Sequence, residues 1–319
     1  MRTVGVGIVG LGYVGRTMAR IFKSMKGVKL VGVVTKTPER GKEFASRLDT
    51  SFYPDLNSLL DRDDLHGVVV ATPNDSHRDP VVSACLSGRH VFVEKPMALK
   101  VQDCTEMIDA ARKAKVNLMV GHMMRLYDGV EQARQFVHSG DFGAPMTAHC
   151  ERTGWEQEQG RISWKKMQQH SGGHLFHHIH EIDLFLWYFG EVDTVFCFSG
   201  NLGHRGPHFG DEDDVLMVTL RFKNGALGTM HYGSGFRISD HFVRFTGSRG
   251  GVVVSHRKAS VLMKIEDGSE QRSPLFSDPD SQRSMMELFS KKDLGVAYGL
   301  PDDEPPHYLT EAFKLEAKY

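Results

Sequence analysis

The first 120 residues alternate short β-branched runs with segments whose apolar residues recur at helical spacing. Thr3 to Val9 reads as a strand, and Val14, Met18, Ile21, Phe22 and Met25 form one helical face. Lys29 to Val34 is a second strand. Thr37 then reads as an N-cap with Pro38 at the first helical position, opening a helix to about Arg47. Val68 to Thr72 is apolar throughout, as a strand covered on both faces must be. A helix from about Asp79 to Ser87 closes at Gly88. Val91-Phe92-Val93, Val101 to Lys115 and Leu118-Met119-Val120 continue as strand, helix and strand. This alternation predicts an α/β domain with a parallel, doubly wound sheet over residues 1–122.

The pattern changes after about residue 125, and 123–319 reads as a second domain. A helix near Asp128 to Val137 and a strand around Met146 to Arg152 lead into a polar loop to His170. One apolar helix is expected from about Gly173 to Phe189. Six strands follow, at Val192–Ser199, Val215–Phe222, Ala226–Tyr232, Phe242–Thr246, Gly251–Val254 and Val261–Ile265, with Asn224-Gly225 as a hairpin turn. A mainly antiparallel sheet is the expected core of this half. Residues 267–283 and 300–306 read as loops, and the chain ends within an amphipathic pattern at Tyr308, Leu309, Ala312, Phe313 and Leu315.

Composition narrows the partners. The 39 Lys and Arg face 40 Asp and Glu with no basic block, which argues against nucleic acid. No apolar run approaches the roughly 18 residues of a membrane span, and Met1-Arg2-Thr3 leads directly into a strand rather than a signal peptide. Cys85, Cys104, Cys150 and Cys197 are scattered without a CxxC pair and read as buried thiols of a cytoplasmic protein. The unusual number is 17 histidines, five of them between His170 and His180.

Gly10-Leu11-Gly12-Tyr13-Val14-Gly15 is a G-x-G-x-x-G run between a strand and a helix. In that setting Gly10 permits the tight turn, Gly12 admits a pyrophosphate to the backbone and Gly15 lets helix and strand pack closely. Tyr13 and Val14 then carry the free N–H groups of the helix start. The adenosine ribose should be read about 20 positions later. Thr35 stands there, no carboxylate occurs at 33–37, and Lys36 and Arg40 could pair with a 2′-phosphate. The cofactor expectation is NADP or NAD, with NADP favoured.

Ala71-Thr72-Pro73-Asn74 with His77, Glu94-Lys95-Pro96, and Gly172-Gly173 before His180-x-x-Asp183 follow in order. With the glycine run, this set resembles the glucose–fructose oxidoreductase/inositol dehydrogenase family of NAD(P)-dependent oxidoreductases over nearly the whole chain. The resemblance implies a Rossmann domain, a C-terminal α/β domain with an open antiparallel sheet, and an active site between them. It implies hydride transfer at a secondary alcohol or ketone of a sugar, cyclitol or glycoside, and a homodimer or homotetramer. It also implies a chain that continues past the present end.

By the same resemblance Lys95 sits beside the nicotinamide and the reacting oxygen, Glu94 contacts the nicotinamide ribose, and Thr72, Pro73, Asn74 and His77 belong to the cofactor cleft. His180 is the implied catalytic histidine, with Asp183 beside it. Where many members carry an aspartate four residues before that histidine, this chain has Phe176. His177, about 60° from His180 on a helical wheel, is the expected substitute. Arg152, Trp155 and Trp164 join Lys95, His177, His180 and Asp183 as expected substrate contacts, with Lys165 and His170 nearby. His174, His178 and Glu181 share a face at i, i+4 and i+7, a spacing that permits Zn²⁺, yet a polar helix lining a sugar cleft explains them and no metal is assigned. Two other functions stay open. One is an NAD-assisted glycosidase working by transient oxidation and elimination; the other is a dinucleotide-binding regulator without catalysis.

Overall fold

The computed structural model describes residues 3–290 and 303–318, which build two sheets. The first contains β1 (Val4–Val9), β2 (Val28–Val34), β3 (Ser51–Tyr53), β4 (Gly67–Val70), β5 (His90–Glu94) and β6 (Leu118–Gly121). All neighbours are parallel, in the order β3-β2-β1-β4-β5-β6. Helices α1 (Tyr13–Ser24), α2 (Pro38–Arg47), α3 (Leu56–Leu60), α4 (Arg78–Leu86) and α5 (Val101–Ala114) alternate with these strands. Ile8, Val33 and Val69 pack into one core cluster while Val9, Val34, Val68 and Val70 pack into another. Covering both faces explains the unbroken apolar runs. The strand order reverses between β1 and β4, which opens a crevice at their carboxyl ends.

Helix α6 (Asp128–Val137) leads into the second sheet: β7 (Pro145–Thr153), β8 (Val192–Gly200), β9 (Val215–Phe222), β10 (Leu227–Gly233), β11 (His241–Gly247), β12 (Gly250–Ser255), β13 (Ser260–Ile265) and β14 (Glu270–Pro274). Its order is β14-β13-β12-β11-β7-β10-β9-β8, antiparallel except for the central β7–β10 pair. Short helices α7 (Gln168–Ser171) and α8 (His174–His177) precede α9 (His180–Phe189), and α10 (Pro279–Ser290) and α11 (His307–Glu316) complete the described chain. Tyr188 and Phe189 of α9 lie 4.7 and 5.1 Å, centroid to centroid, from Phe245 of β11. Truncating such a ring to Ala costs about 3–5 kcal/mol, so this packing fixes α9, and with it His180 at its start. Tyr308, Leu309, Ala312 and Phe313 of α11 are buried and join the core cluster that includes α1.

Three expectations need correction. The single helix expected over 173–189 is two, because the backbone turns at His178 (φ −112°, ψ 44°). The Lys95 ammonium takes the His177 carbonyl at 2.7 Å and the Tyr232 hydroxyl takes the His178 carbonyl at 3.2 Å. Tertiary donors thus capture the oxygens a continuous helix would use. The supposed loop 267–283 contains β14 and the start of α10; β14 is a polar, exposed edge strand and carries no alternating apolar signal. Thr37 is the N-cap of α2 with Pro38 in the first turn, as expected, although its side chain makes no capping bond. Cys197 is exposed and Cys104 half-buried, so burial holds only for Cys85 and Cys150. The short β3 and α3 had no counterpart in the sequence reading. Of the loop expected at 300–306, residues 300–302 lie outside the described residues. Among the described residues no helix is long and apolar enough to cross a membrane.

Candidate active site

The glycine run forms the turn from β1 into α1. Gly10 adopts φ +97°, and a Cβ there would stand 2.5 Å from the Ala71 carbonyl oxygen. A Cβ on Gly15 would reach 1.9 Å from the Gly10 oxygen, so both positions exclude a side chain. A Cβ on Gly12 would meet nothing within 4 Å. Gly12 is also the N-cap of α1, with no capping side chain. Gly12 and the buried Tyr13 line a cleft of about 1300 Å³, while Val14 is half-buried against the core. The loop therefore fits an anionic group such as a pyrophosphate. Thr35 is half-buried at the end of β2, Lys36 is exposed, and Arg40 lines the same cleft.

The next two strand ends are tied together. His77 is fully buried, with Nδ1 2.9 Å from the Pro96 oxygen and Nε2 3.0 Å from the Thr72 oxygen. It braces the Thr72 and Pro96 loops from behind. The Thr72 hydroxyl donates to Ser76 O, Pro73 opens a 3₁₀ turn, and Asn74 donates to Ser171 O at 2.8 Å. That last bond links the first domain to α7 of the second.

Glu94 ends β5 and Lys95 follows it, both buried. Burial pushes the Glu94 carboxyl up to about 7, against the pull of the Lys95 charge. Glu316 of α11 is buried beside them, raised well above the usual carboxylate range by burial and by Glu94. Glu94 Oε1 and both Glu316 oxygens have no hydrogen-bond partner among the described residues. Lys95 Nζ reaches the carbonyl of His177. His177 and His180 both line the cleft, both are buried, and neither Nδ1 has a hydrogen-bond partner among the described residues. Burial, then the Lys95 charge, holds both imidazoles well below their usual titration range, so both are neutral. Lys165 completes this floor; burial, aided by Lys95, lowers it from 10.5 to about 8.

Above this floor lie two charge networks. Glu181 is fully buried and held well below the usual carboxylate range despite burial. Its Oε1 accepts from Arg152 at 2.9 Å and lies 2.6 Å from His241 Nε2, while Oε2 accepts from the Tyr232 hydroxyl at 2.6 Å. Lys166 bridges Glu156 and Glu212, each at 2.9 Å, with His174 Nδ1 3.8 Å from Glu212. Trp155 and Trp164 line the cleft, and the Arg237 guanidinium lies 3.4 Å above the Trp155 ring.

Two family profiles match the chain. The oxidoreductase family with NAD-binding Rossmann fold covers residues 4–122, and the oxidoreductase family C-terminal alpha/beta domain covers 134–292. The chain belongs to this family. Its relatives include 2,7-anhydro-N-acetylneuraminate hydratases of Mediterraneibacter gnavus, 38% identical, and Escherichia coli, 37% identical. They match over 100% and 99% of this chain and 85% of each relative. A levoglucosan dehydrogenase in complex with NADH and L-sorbose has the same fold, with a TM-score of 0.80 at 22% identity over 99% of this chain and 88% of that one.

The structure brings part of the expected site together around the cleft. Arg152, Trp155, Trp164, His177 and His180 line one cleft with the glycine loop. Asp183 does not meet His180; both its oxygens accept from Arg125, at 2.7 and 2.6 Å. Phe176, at the aspartate position of other members, is exposed. His174 and His178 line the cleft, but Glu181 is committed to Arg152, His241 and Tyr232. With the helix broken at His178, the i, i+4, i+7 face does not exist. Glu156, Lys166, Glu212, His241, Arg237 and Glu316 went unread because their partners are distant in sequence. The one local signal was the buried carboxylate pair Glu181 and Asp183 at the start of an otherwise largely apolar helix.

Proposed function

We propose that this enzyme hydrates a 2,7-anhydro sialic acid through transient oxidation of the sugar, with no net redox change. The observation that carries the reading is similarity along the whole of this chain to two hydratases of that substrate, joined to a cleft lined by a lysine of lowered pKa and neutral histidines. Adding water to an ether by way of a nicotinamide needs a ketone. Elimination of the bridging oxygen requires an acidic C–H on the adjacent carbon, and a ketone one carbon further supplies it. On this sugar those atoms are C2 (bridged), C3 (acidic) and C4 (oxidised).

The bound nicotinamide supplies a reversible hydride acceptor. The chain's residues handle the protons. His180 accepts the C4 hydroxyl proton, with His177 beside it, and the Lys95 ammonium stabilises negative charge on that oxygen. Lys165, as free amine, removes the C3 proton. The C2–O7 bond then breaks, its electron pair leaving on O7, which is protonated. Water adds to C2, C3 regains a proton, and the C4 ketone returns to the alcohol. Arg237, stacked on Trp155, meets the substrate carboxylate. Asp183 holds Arg125 in place rather than touching sugar. Gly10, Gly12, Tyr13, Val14 and Gly15 would hold the dinucleotide, Thr72, Pro73, Asn74 and Glu94 would meet its nicotinamide end, and His77 would brace that wall. Lys36 and Arg40 favour NADP, and the protein acts as a cytoplasmic homo-oligomer.

Purified protein supplied with 2,7-anhydro-N-acetylneuraminate and catalytic NAD(P)⁺ should yield N-acetylneuraminate by NMR. Failure to form the hydrate, with reduced nicotinamide accumulating instead, would favour the second reading. That reading is a net dehydrogenase like the inositol 2-dehydrogenase/D-chiro-inositol 3-dehydrogenase of Halalkalibacterium halodurans, 31% identical over 71% of this chain.

A further inference from the structure

The face of the second sheet turned away from α9 carries a cluster unrelated to the cleft. β7 and β10 run parallel in the middle of this sheet, with His149 opposite Thr229 and Glu151 opposite His231. Alternation puts all four side chains on the same face, opposite the buried Ala148, Cys150, Met230 and Tyr232. One ligating atom each of His149, Glu151 and His231 lies within 4.8 Å of the others, and all three residues are half-buried.

We propose that His149, Glu151 and His231 form a divalent transition-metal site, with Zn²⁺ as its ligand. Two imidazoles and a carboxylate are a donor set that Zn²⁺ takes at about 2.0–2.2 Å. Tetrahedral donors at that range stand roughly 3.3 Å apart, so modest side-chain rotations close the set around an ion. His149 is already oriented for it. Its Nδ1 is 2.8 Å from the Thr229 hydroxyl and its Nε2 faces Glu151 at 3.5 Å. With Nδ1–H donated to Thr229, the Nε2 lone pair points to the site, as outer-sphere partners arrange for metal-bound histidines. Phe242, opposite Glu151 on β11, packs against the His149 ring at 5.5 Å and shields one side. Arg244, opposite His149, is the charged group facing the cluster from β11, and its guanidinium is drawn over the Phe242 ring. Three protein ligands leave a fourth position for water.

The test is calorimetric titration of the metal-stripped full chain with Zn²⁺ alone, plus Co²⁺ titration followed by visible absorption. The expected result is one ion per chain with a tetrahedral Co²⁺ spectrum, both lost in H149Q/H231Q. Thr229→Val should weaken Zn²⁺ about 10-fold through His149 orientation. Circular dichroism establishes that each variant is folded, and activity should be unchanged because the site lies off the cleft. Undiminished binding by folded H149Q/H231Q would place the ion elsewhere and overturn the proposal. So would absence of binding by the folded wild-type chain.

Discussion

Lys165 is the sharpest test of the proton chemistry. Its amine falls from 10.5 to about 8 on burial beside Lys95. That drop, about 2.5 pH units, corresponds to roughly 3 kcal/mol. At pH 7 about one Lys165 in ten is free amine, against about one in 3000 for an ordinary lysine, a gain of roughly 300-fold in available base. Lys165→Arg keeps length and charge but stays protonated at every working pH. The expected loss in kcat is about 10²–10⁴-fold, the usual range for a general base, with KM little changed. The wild-type kcat should rise with pH and level off above about 8, and that limb should vanish in Lys165→Arg. Competitive acylation of Lys165 as a function of pH reads its titration without reference to turnover. A labelling midpoint near 10.5, or a Lys165→Arg enzyme with intact rate and profile, would refute the assignment.

Three other outcomes are expected. Arg237→Ala should raise KM for a sialic acid substrate about 10–100-fold, the cost of one charge-assisted bond, with a smaller change in kcat; an unchanged KM removes Arg237 from carboxylate binding. His174, His177, His178 and His180 are held neutral, chiefly by burial. Their folded pKa lies below the unfolded value of about 6.5, so stability is full above that pH and is lost as pH falls, by up to about 1.4 kcal/mol per histidine per pH unit. Urea unfolding midpoints at about pH 7.5 and 5.5 should show it, and equal midpoints would contradict it. Lys36→Glu with Arg40→Glu should weaken NADP about 10–100-fold while sparing NAD, measured by calorimetry; a wild-type preference for NAD would reverse the 2′-phosphate assignment.

The parts of the molecule legible in its sequence are those where cause is local. The G-x-G-x-x-G turn is set by sterics within a few residues, and Gly10 and Gly15 have no room for a Cβ. The parallel strands announce themselves because both faces are covered, as Val68, Val69 and Val70 show. The break at His178 was not legible, because its cause is Tyr232 and Lys95, far along the chain. Helical periodicity is blind to a carbonyl captured from outside. The same reason hid the Glu156–Lys166–Glu212 bridge and the Glu181 hub, whose partners come from other strands. Glu316 was legible as part of an amphipathic helix but not as a neighbour of Glu94. β14 stayed hidden because an exposed edge strand has no face to pattern.

Transient oxidation without net redox change leaves its mark on the product. Its most direct measurement is turnover of 2,7-anhydro-N-acetylneuraminate in deuterium oxide, followed by NMR of the product and by reduced-nicotinamide absorbance. The N-acetylneuraminate formed should carry solvent deuterium at C3 and its original hydrogen at C4, with no reduced nicotinamide at completion. A product with an unexchanged C3, or reduced nicotinamide accumulating in proportion to substrate consumed, would contradict it.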